Sequence, residues 1–413
     1  MNTVDMLQAR PQLRPDILVS RPLARGPVRI HLLLDQRTGA RMEVAPKVHF
    51  VIDRLDGVRT LDEIGNDYAA HYGVRLGEPQ WNQLMGLLYG RRLLVGAAPR
   101  TAPEPAARPR PSLREGRIGL VPDTPALIDR LHRATGFARR PLVLVPLLLL
   151  LVAQLAPIAV HLSALSADTA SLRHQPWELL AVVAAVWVSM ALHELGHGLV
   201  GRAAGGNVTE IGVRWRLPMV YLYCEVEDVR FLAGRRHQVA TAAAGALTNL
   251  AFLLPVSLVW LLLGQPTTAH PALGALLLIG AGAGLANLLP LPPLDGYRIL
   301  EYLLGTSQLS SESRRFAGLV ARRLVRRGPG VGAYPTRLRL VHGGYAVGWT
   351  LLTGALLLAF GLLCRQLAPG HSWLAGVLPP LVLALVLVVG SAFAAWRSAR
   401  AEAVRRAGGS AAK

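Results

Sequence analysis

The sequence predicts an all-α polytopic membrane protein of about six transmembrane helices, with a small α+β domain ahead of them. Three observations carry this. Of the 413 residues, 52% are hydrophobic and the mean hydropathy is +0.36, which argues against an ordinary soluble protein. The apolar residues gather into runs long enough to cross about 30 Å of hydrocarbon, which takes about 20 helical residues. The 44 Lys and Arg exceed the 25 Asp and Glu by 19, and the arginines cluster at the ends of those runs, where membrane lipid and topology account for them. No aromatic-basic motif accompanies the charge, so nucleic acid is not an expected partner.

Residues 1 to 27 are read as an N-terminal tail; MNTVDMLQARPQLRPD has no apolar core of a secretory signal, so the N-terminus is expected in the cytoplasm. Residues 28 to 97 have a soluble pattern. VRIHLLLD and ARMEVAP are predicted strands joined at QRTG, and KVHFVIDRL is a helix stopped by Asp56-Gly57. Thr60 and Glu63 fit a capping box for a helix through His71, and a further helix from Pro79 to Arg92 precedes a strand-like RLLVG. Residues 98 to 140 read as a linker, rich in Pro and Arg as far as 117, and a pre-membrane segment.

Six spans follow, at about 141 to 162, 177 to 200, 240 to 263, 272 to 290, 343 to 363 and 373 to 395. The connection after the second carries Arg202, Arg214, Arg216, Arg230, Arg235 and Arg236, and the one after the fourth carries nine arginines, from Arg298 to Arg339 inclusive. The intervening loops carry one arginine or none. The positive-inside rule therefore puts both termini in the cytoplasm. Residues 306 to 342 form a basic interfacial segment, whose SESRRFAGLVARRLVRRG is read as a helix on the membrane surface or a gate over a site. Residues 343 to 413 hold the C-terminal transmembrane pair and a basic tail. Cys224 and Cys364 have no thiolate-site spacing, so neither a disulfide framework nor a cysteine metal site is expected.

The chemistry lies in ALHELGHGLV, residues 191 to 200, inside the second span. Polar groups at membrane depth are costly and mark function. On a helix His193 and His197, four apart, present two imidazoles to one divalent metal while Glu194 stands beside a bound water. Zinc suits two imidazoles and a carboxylate with a fourth position for water, and Glu194 is the candidate general base for attack on a peptide carbonyl. Glu225, Glu227 and Asp228 in MVYLYCEVEDVRF are candidates for the third ligand, but Asp295 is better placed. It lies in NLLPLPPLDGY, where a span breaks at Pro290, Pro292 and Pro293 on the same cytoplasmic side, and broken helices at depth line enclosed sites.

His193-Glu194-Leu195-Gly196-His197, paired with Asn287-Leu288-Leu289-Pro290 and Leu294-Asp295-Gly296, resembles the double signature of the site-2 protease family of intramembrane zinc metalloproteases. The resemblance implies zinc bound by His193, His197 and Asp295, Glu194 as general base, a site-2 protease-like core within 141 to 305, and a three-helix catalytic part at about 177 to 296. Gly245-Ala246-Leu247-Thr248-Asn249 stands where many relatives have a GPxxN-like stretch, with alanine in place of proline. Asn249 and Asn287 are candidate substrate-binding residues, with an interhelical hydrogen bond the other reading for Asn249.

A narrower resemblance, to bacterial peptide zinc metalloproteases encoded with ribosomally made, modified peptides, covers most of the chain and makes residues 28 to 97 similar to a PqqD-like winged helix. It implies a multi-pass protein of the bacterial inner membrane, acting on a peptide or membrane-protein substrate in peptide maturation or export. A leader peptide would add to the strands near 28 to 46; a regulatory or assembly module is the other reading of that domain. On this view deletion of 1 to 116 is expected to leave zinc binding intact. The alternative function is a non-proteolytic peptide-binding accessory of export or immunity with a structural zinc. A transporter would be expected to show repeated halves, which are not found.

Overall fold

The structure, a computed structural model, describes residues 6–96, 112–216, 219–226, 229–232, 234–263, 270–324, 331–367 and 377–385. It is mostly helical. One compact unit takes in the described residues up to Glu312 together with Gly332–Leu338, and a second takes in Ser313–Val331 and those from Arg339 onward.

The first unit begins with a small sheet. Strands β1 (Ile17–Val19), β2 (Leu23–Arg25) and β4 (Arg41–Val44) all pair antiparallel with β3 (Val28–Asp35), whose Ile30, Leu33 and Leu34 are buried, so that side chains from both faces of this central strand are covered. The expected tail of residues 1 to 27 is thus corrected, since it supplies two strands. Strands of three residues leave too little alternation to be read from sequence. Helices α1 (Pro46–Ile52), α2 (Leu61–Tyr72) and α3 (Glu78–Gly90) cover the sheet and bury Ile52, Leu61, Ile64, Trp81 and Leu88. The capping box of α2 is formed: Glu63 N–H donates to Thr60 Oγ1 at 3.2 Å and Thr60 N–H donates to Glu63 Oε2 at 2.8 Å.

The segment read as linker is also corrected. Residues 98–111 lie outside the described ones, but β5 (Glu115–Gly119) and α4 (Thr124–Ala134) are ordered elements. The apolar series Pro141–Val160 is nearly continuous as α5 (Pro141–Ala153) and α6 (Leu155–Val160). Pro157 has no N–H to give to the Ala153 carbonyl, which accounts for the interruption at Gln154. After α7 (Leu162–Ser171) comes the long α8 (Pro176–Ala203), which carries the HELGH motif near its C-terminal end.

Strands β6 (Val208–Arg216) and β7 (Met219–Val226) form a hairpin that β5 joins, in the order β5-β6-β7. Helix α9 (Arg235–Leu263) packs along α8, and α10 (His270–Ala286) packs on α7 and α9, burying Leu165, Leu253, Ala275 and Leu277. The chain then breaks at residues 287–294 and resumes as α11 (Asp295–Leu304), α12 (Leu309–Leu324) and α13 (Thr336–Leu367). In the second unit Ser313 Oγ lies 3.1 Å from His342 Nδ1, and Phe316 is buried.

Four helices among the described residues are long and apolar enough to cross a membrane: Pro141–Val160, Pro176–Ala203, Arg235–Leu263 and Thr336–Leu362. The expected span at 272 to 290 is α10, shorter at 17 residues because the prolines end it early. Of the expected span at 373 to 395, residues 377–385 are helical and the remainder lies outside the described residues.

Candidate metal centre

The centre is assembled from two distant parts of the chain. His193 and His197 stand one turn apart on α8, their Nε2 atoms 3.2 Å from each other. Asp295, the first residue of α11, brings Oδ2 to 3.1 Å from His193 Nε2 and 3.2 Å from His197 Nε2. These are the edges of a nearly equilateral triangle. A tetrahedral zinc with ligand bonds of about 2.0–2.1 Å requires ligand-to-ligand edges of about 3.3 Å, so the three atoms fit one face of such a site. His193 and Asp295 are buried, and Asp295 Oδ2 has no hydrogen-bond donor. The three residues form the His/Cys/Asp/Glu group able to hold a metal among the described residues.

Two backbone groups orient the side chains. His197 Nδ1 lies 2.7 Å from the Thr241 carbonyl oxygen of α9. A carbonyl only accepts, so Nδ1 carries the proton and Nε2 keeps its lone pair directed at the triangle. The Cys224 N–H of β7 donates to Glu194 Oε2 at 3.0 Å, fixing one carboxylate oxygen and leaving the other to act. Sequence reasoning missed both contacts, since every residue but proline owns these groups.

Close packing of α9 on α8 completes the site. A Cβ on Gly245 would lie 2.4 Å from His193 Nε2 and 2.5 Å from His197 Nε2, so only glycine lets the two imidazoles converge beneath α9. Gly245→Ala is expected to cost about 1–3 kcal/mol through overpacking, read as a lower thermal midpoint and a smaller gain in that midpoint on adding zinc. At the other ligand, Gly296 N–H donates to the Asn287 carbonyl at 2.8 Å, and a Cβ there would meet the Leu288 carbonyl oxygen at 2.0 Å. Glycine after Asp295 therefore allows the first turn of α11 to lie against the 287–289 backbone.

The other candidates fall elsewhere. The Cys224 side chain lies against Gly198 of α8, so strand alternation turns Glu225 to the opposite face, where it is exposed and pairs with Arg117 at 3.5 Å. Glu227 and Asp228 lie outside the described residues. Asn249 is buried on α9, its Oδ1 accepting from Ser189 Oγ of α8 at 3.1 Å. Asn287 is half-buried beside the break. Burial and the neighbouring Glu194 carboxylate push the Cys224 thiol up to about 12. Cys224 is accordingly expected to resist iodoacetamide at mildly alkaline pH in the folded protein and to react after denaturation, as peptide mapping would read.

The chain is 29% identical over 131 residues to a protein of Synechocystis sp. named "Putative zinc metalloprotease". It resembles a zinc metalloprotease. The match covers 31% of this chain and 33% of the relative, so it spans about a third of that protein's length. No family model matches the chain, and no solved structure matches it. The likeness to a metalloprotease and the His-His-Asp triangle point to the same metal chemistry, with zinc the ion that the relative's name gives.

Proposed function

We propose that the chain is an intramembrane zinc metalloendopeptidase of the site-2 protease type. The observation that carries the reading is the triangle of His193 Nε2, His197 Nε2 and Asp295 Oδ2 beside a carboxylate, Glu194, that is held by a backbone N–H and is not part of the triangle. His193, His197 and Asp295 would hold the ion. Zinc, when bound, supplies Lewis acidity and a water acidified toward neutral pH. Glu194 takes a proton from the attacking water as it adds to the peptide carbonyl, then delivers that proton to the leaving amine, so a peptide bond and one water become an acid and an amine. A purely structural zinc has no need of a general base in this position.

The placement of HELGH near the C-terminal end of α8, followed by the arginine-bearing hairpin, supports a site open to the cytoplasmic side of a bacterial inner membrane, with six spans and both termini cytoplasmic. The sheet and three helices at the N-terminus support a PqqD-like winged helix that receives a leader peptide of a ribosomally made, modified peptide. Asn249 and Asn287 remain proposed substrate contacts. The test is chelation. Phenanthroline should abolish cleavage of precursor peptides followed by mass spectrometry, and added zinc should restore it; cleavage that persists in protein shown to be free of zinc would refute the reading.

A further inference from the structure

Asp295 stands at the start of a ten-residue helix. A helix this short is not stable alone, so its position is set by whatever holds its two ends. The Asn287–Gly296 hydrogen bond holds the near end. The far end is held by a buried carboxylate, Glu301. Its Oε2 accepts from Arg230 Nη2 at 2.8 Å, and its Oε1 accepts from Tyr297 O–H and from Leu309 N–H, both at 2.9 Å. Arg230 lies between β7 and α9, and its carbonyl accepts from Gln238 Nε2 in the first turn of α9 at 3.0 Å. The far end of α11 is thereby tied to the helix that carries Thr241 and Gly245.

The same cluster reaches the N-terminal sheet. Arg230 Nη1 donates to Ser307 Oγ at 3.1 Å. Ser307 N–H donates to the Ala24 carbonyl at 2.9 Å, and Ala24 N–H donates to the Gly305 carbonyl at 2.8 Å, a parallel bridge that extends the free side of β2. The sheet expected to be separable from the metal site is therefore bonded to the segment that ends the helix bearing Asp295.

We propose that Glu301 is a positioning residue for Asp295, and that Arg230 and the β2 edge of the N-terminal domain clamp the far end of α11 so that the carboxylate stays within reach of both imidazoles. The inference rests on the metal reading above. Glu301 lies about 9 Å along the helix from Asp295 at 1.5 Å per residue, so it acts through the helix and not on the ion. A tilt of that lever displaces Asp295 Oδ2 from the triangle, and partners of metal ligands that are lost in this way typically weaken binding 10–100-fold.

The experiment is zinc affinity by chelator competition in the full-length detergent-solubilised protein, with hydrogen exchange of residues 295–304 as a second reading. Glu301→Gln is expected to bind zinc about tenfold more weakly and to exchange faster over 295–304 but not over the HELGH turn of α8. Arg230→Gln combined with Glu301→Gln removes the half-buried cation together with the buried carboxylate, leaving neither charge without its partner, and should recover part of the affinity. Ala24→Pro removes the N–H given to Gly305 without touching the ladder to β3, because that N–H points away from β3, and should lower affinity in the same direction by less. Unchanged zinc affinity in Glu301→Gln, with wild type binding normally, overturns this inference alone. Equal loosening of α8 and α11 overturns it too, by making Glu301 merely structural. A wild type that binds no zinc overturns the metal reading and the inference with it.

Discussion

Glu194→Gln is expected to retain one zinc per chain and to lose cleavage by about 10²–10⁴-fold, the usual size of a general acid-base contribution. The geometry separates the two readouts. Glu194 contributes no atom to the His193, His197 and Asp295 triangle, so the amide leaves the three ligand atoms in place. The amide is also nearly isosteric, and with its oxygen turned toward Cys224 N–H it keeps the 3.0 Å contact that orients the side chain. What it lacks is a basic oxygen to take the water's proton. Zinc by elemental analysis and product by mass spectrometry, on the same preparation, decide the matter. Full zinc with wild-type cleavage would remove Glu194 from the mechanism. Full zinc and no cleavage in either protein, with the variant still supporting the cellular phenotype, would favour the binding or export accessory with a structural metal.

Much of the centre was legible because its signals are local or carried by residue type. The spacing of His193 and His197 is a property of any α-helix, and the capping box at Thr60 and Glu63 is complete within four residues. The break after α10 was legible from three prolines, although it comes earlier than the apolar run suggests. The groups that orient the site left no such trace. The Thr241 carbonyl and the Cys224 N–H belong to the backbone, and the sequence does not say that α9 and β7 bring them to His197 and Glu194. Gly245 reads as one more small residue in an apolar helix; its meaning comes from the two imidazoles that approach it. The same holds for β5, whose partner β6 is about a hundred residues away, and for α4, which holds Arg202 of α8 through Asp129 at 2.6 Å. Composition marked that stretch as linker because proline and arginine dominate its start, while its order derives from non-local pairing.

Asp295→Ala is the change expected to empty the centre. Two imidazoles held 3.2 Å apart are half of a tetrahedral set, and without Asp295 the ion has no anionic ligand in a buried site. No second carboxylate is in position to replace it among the described residues. Glu225 is turned to the far face of β7 and engaged with Arg117, and Glu194 is engaged with the Cys224 N–H. Zinc per chain after dialysis should therefore fall from about one to near background, and cleavage should fall with it. Asp295→Asn makes the comparison sharper. The amide preserves the shape of the first turn of α11, where the Gly296 N–H to Asn287 carbonyl bond of 2.8 Å is made by backbone alone, while it withdraws the negative charge. Weak zinc binding in Asp295→Asn with the thermal midpoint of the metal-free protein unchanged would locate the loss in the ligand and not in the fold. Full metal retention in both variants would instead move the third ligand to the connection that follows β7, where Glu227 and Asp228 lie.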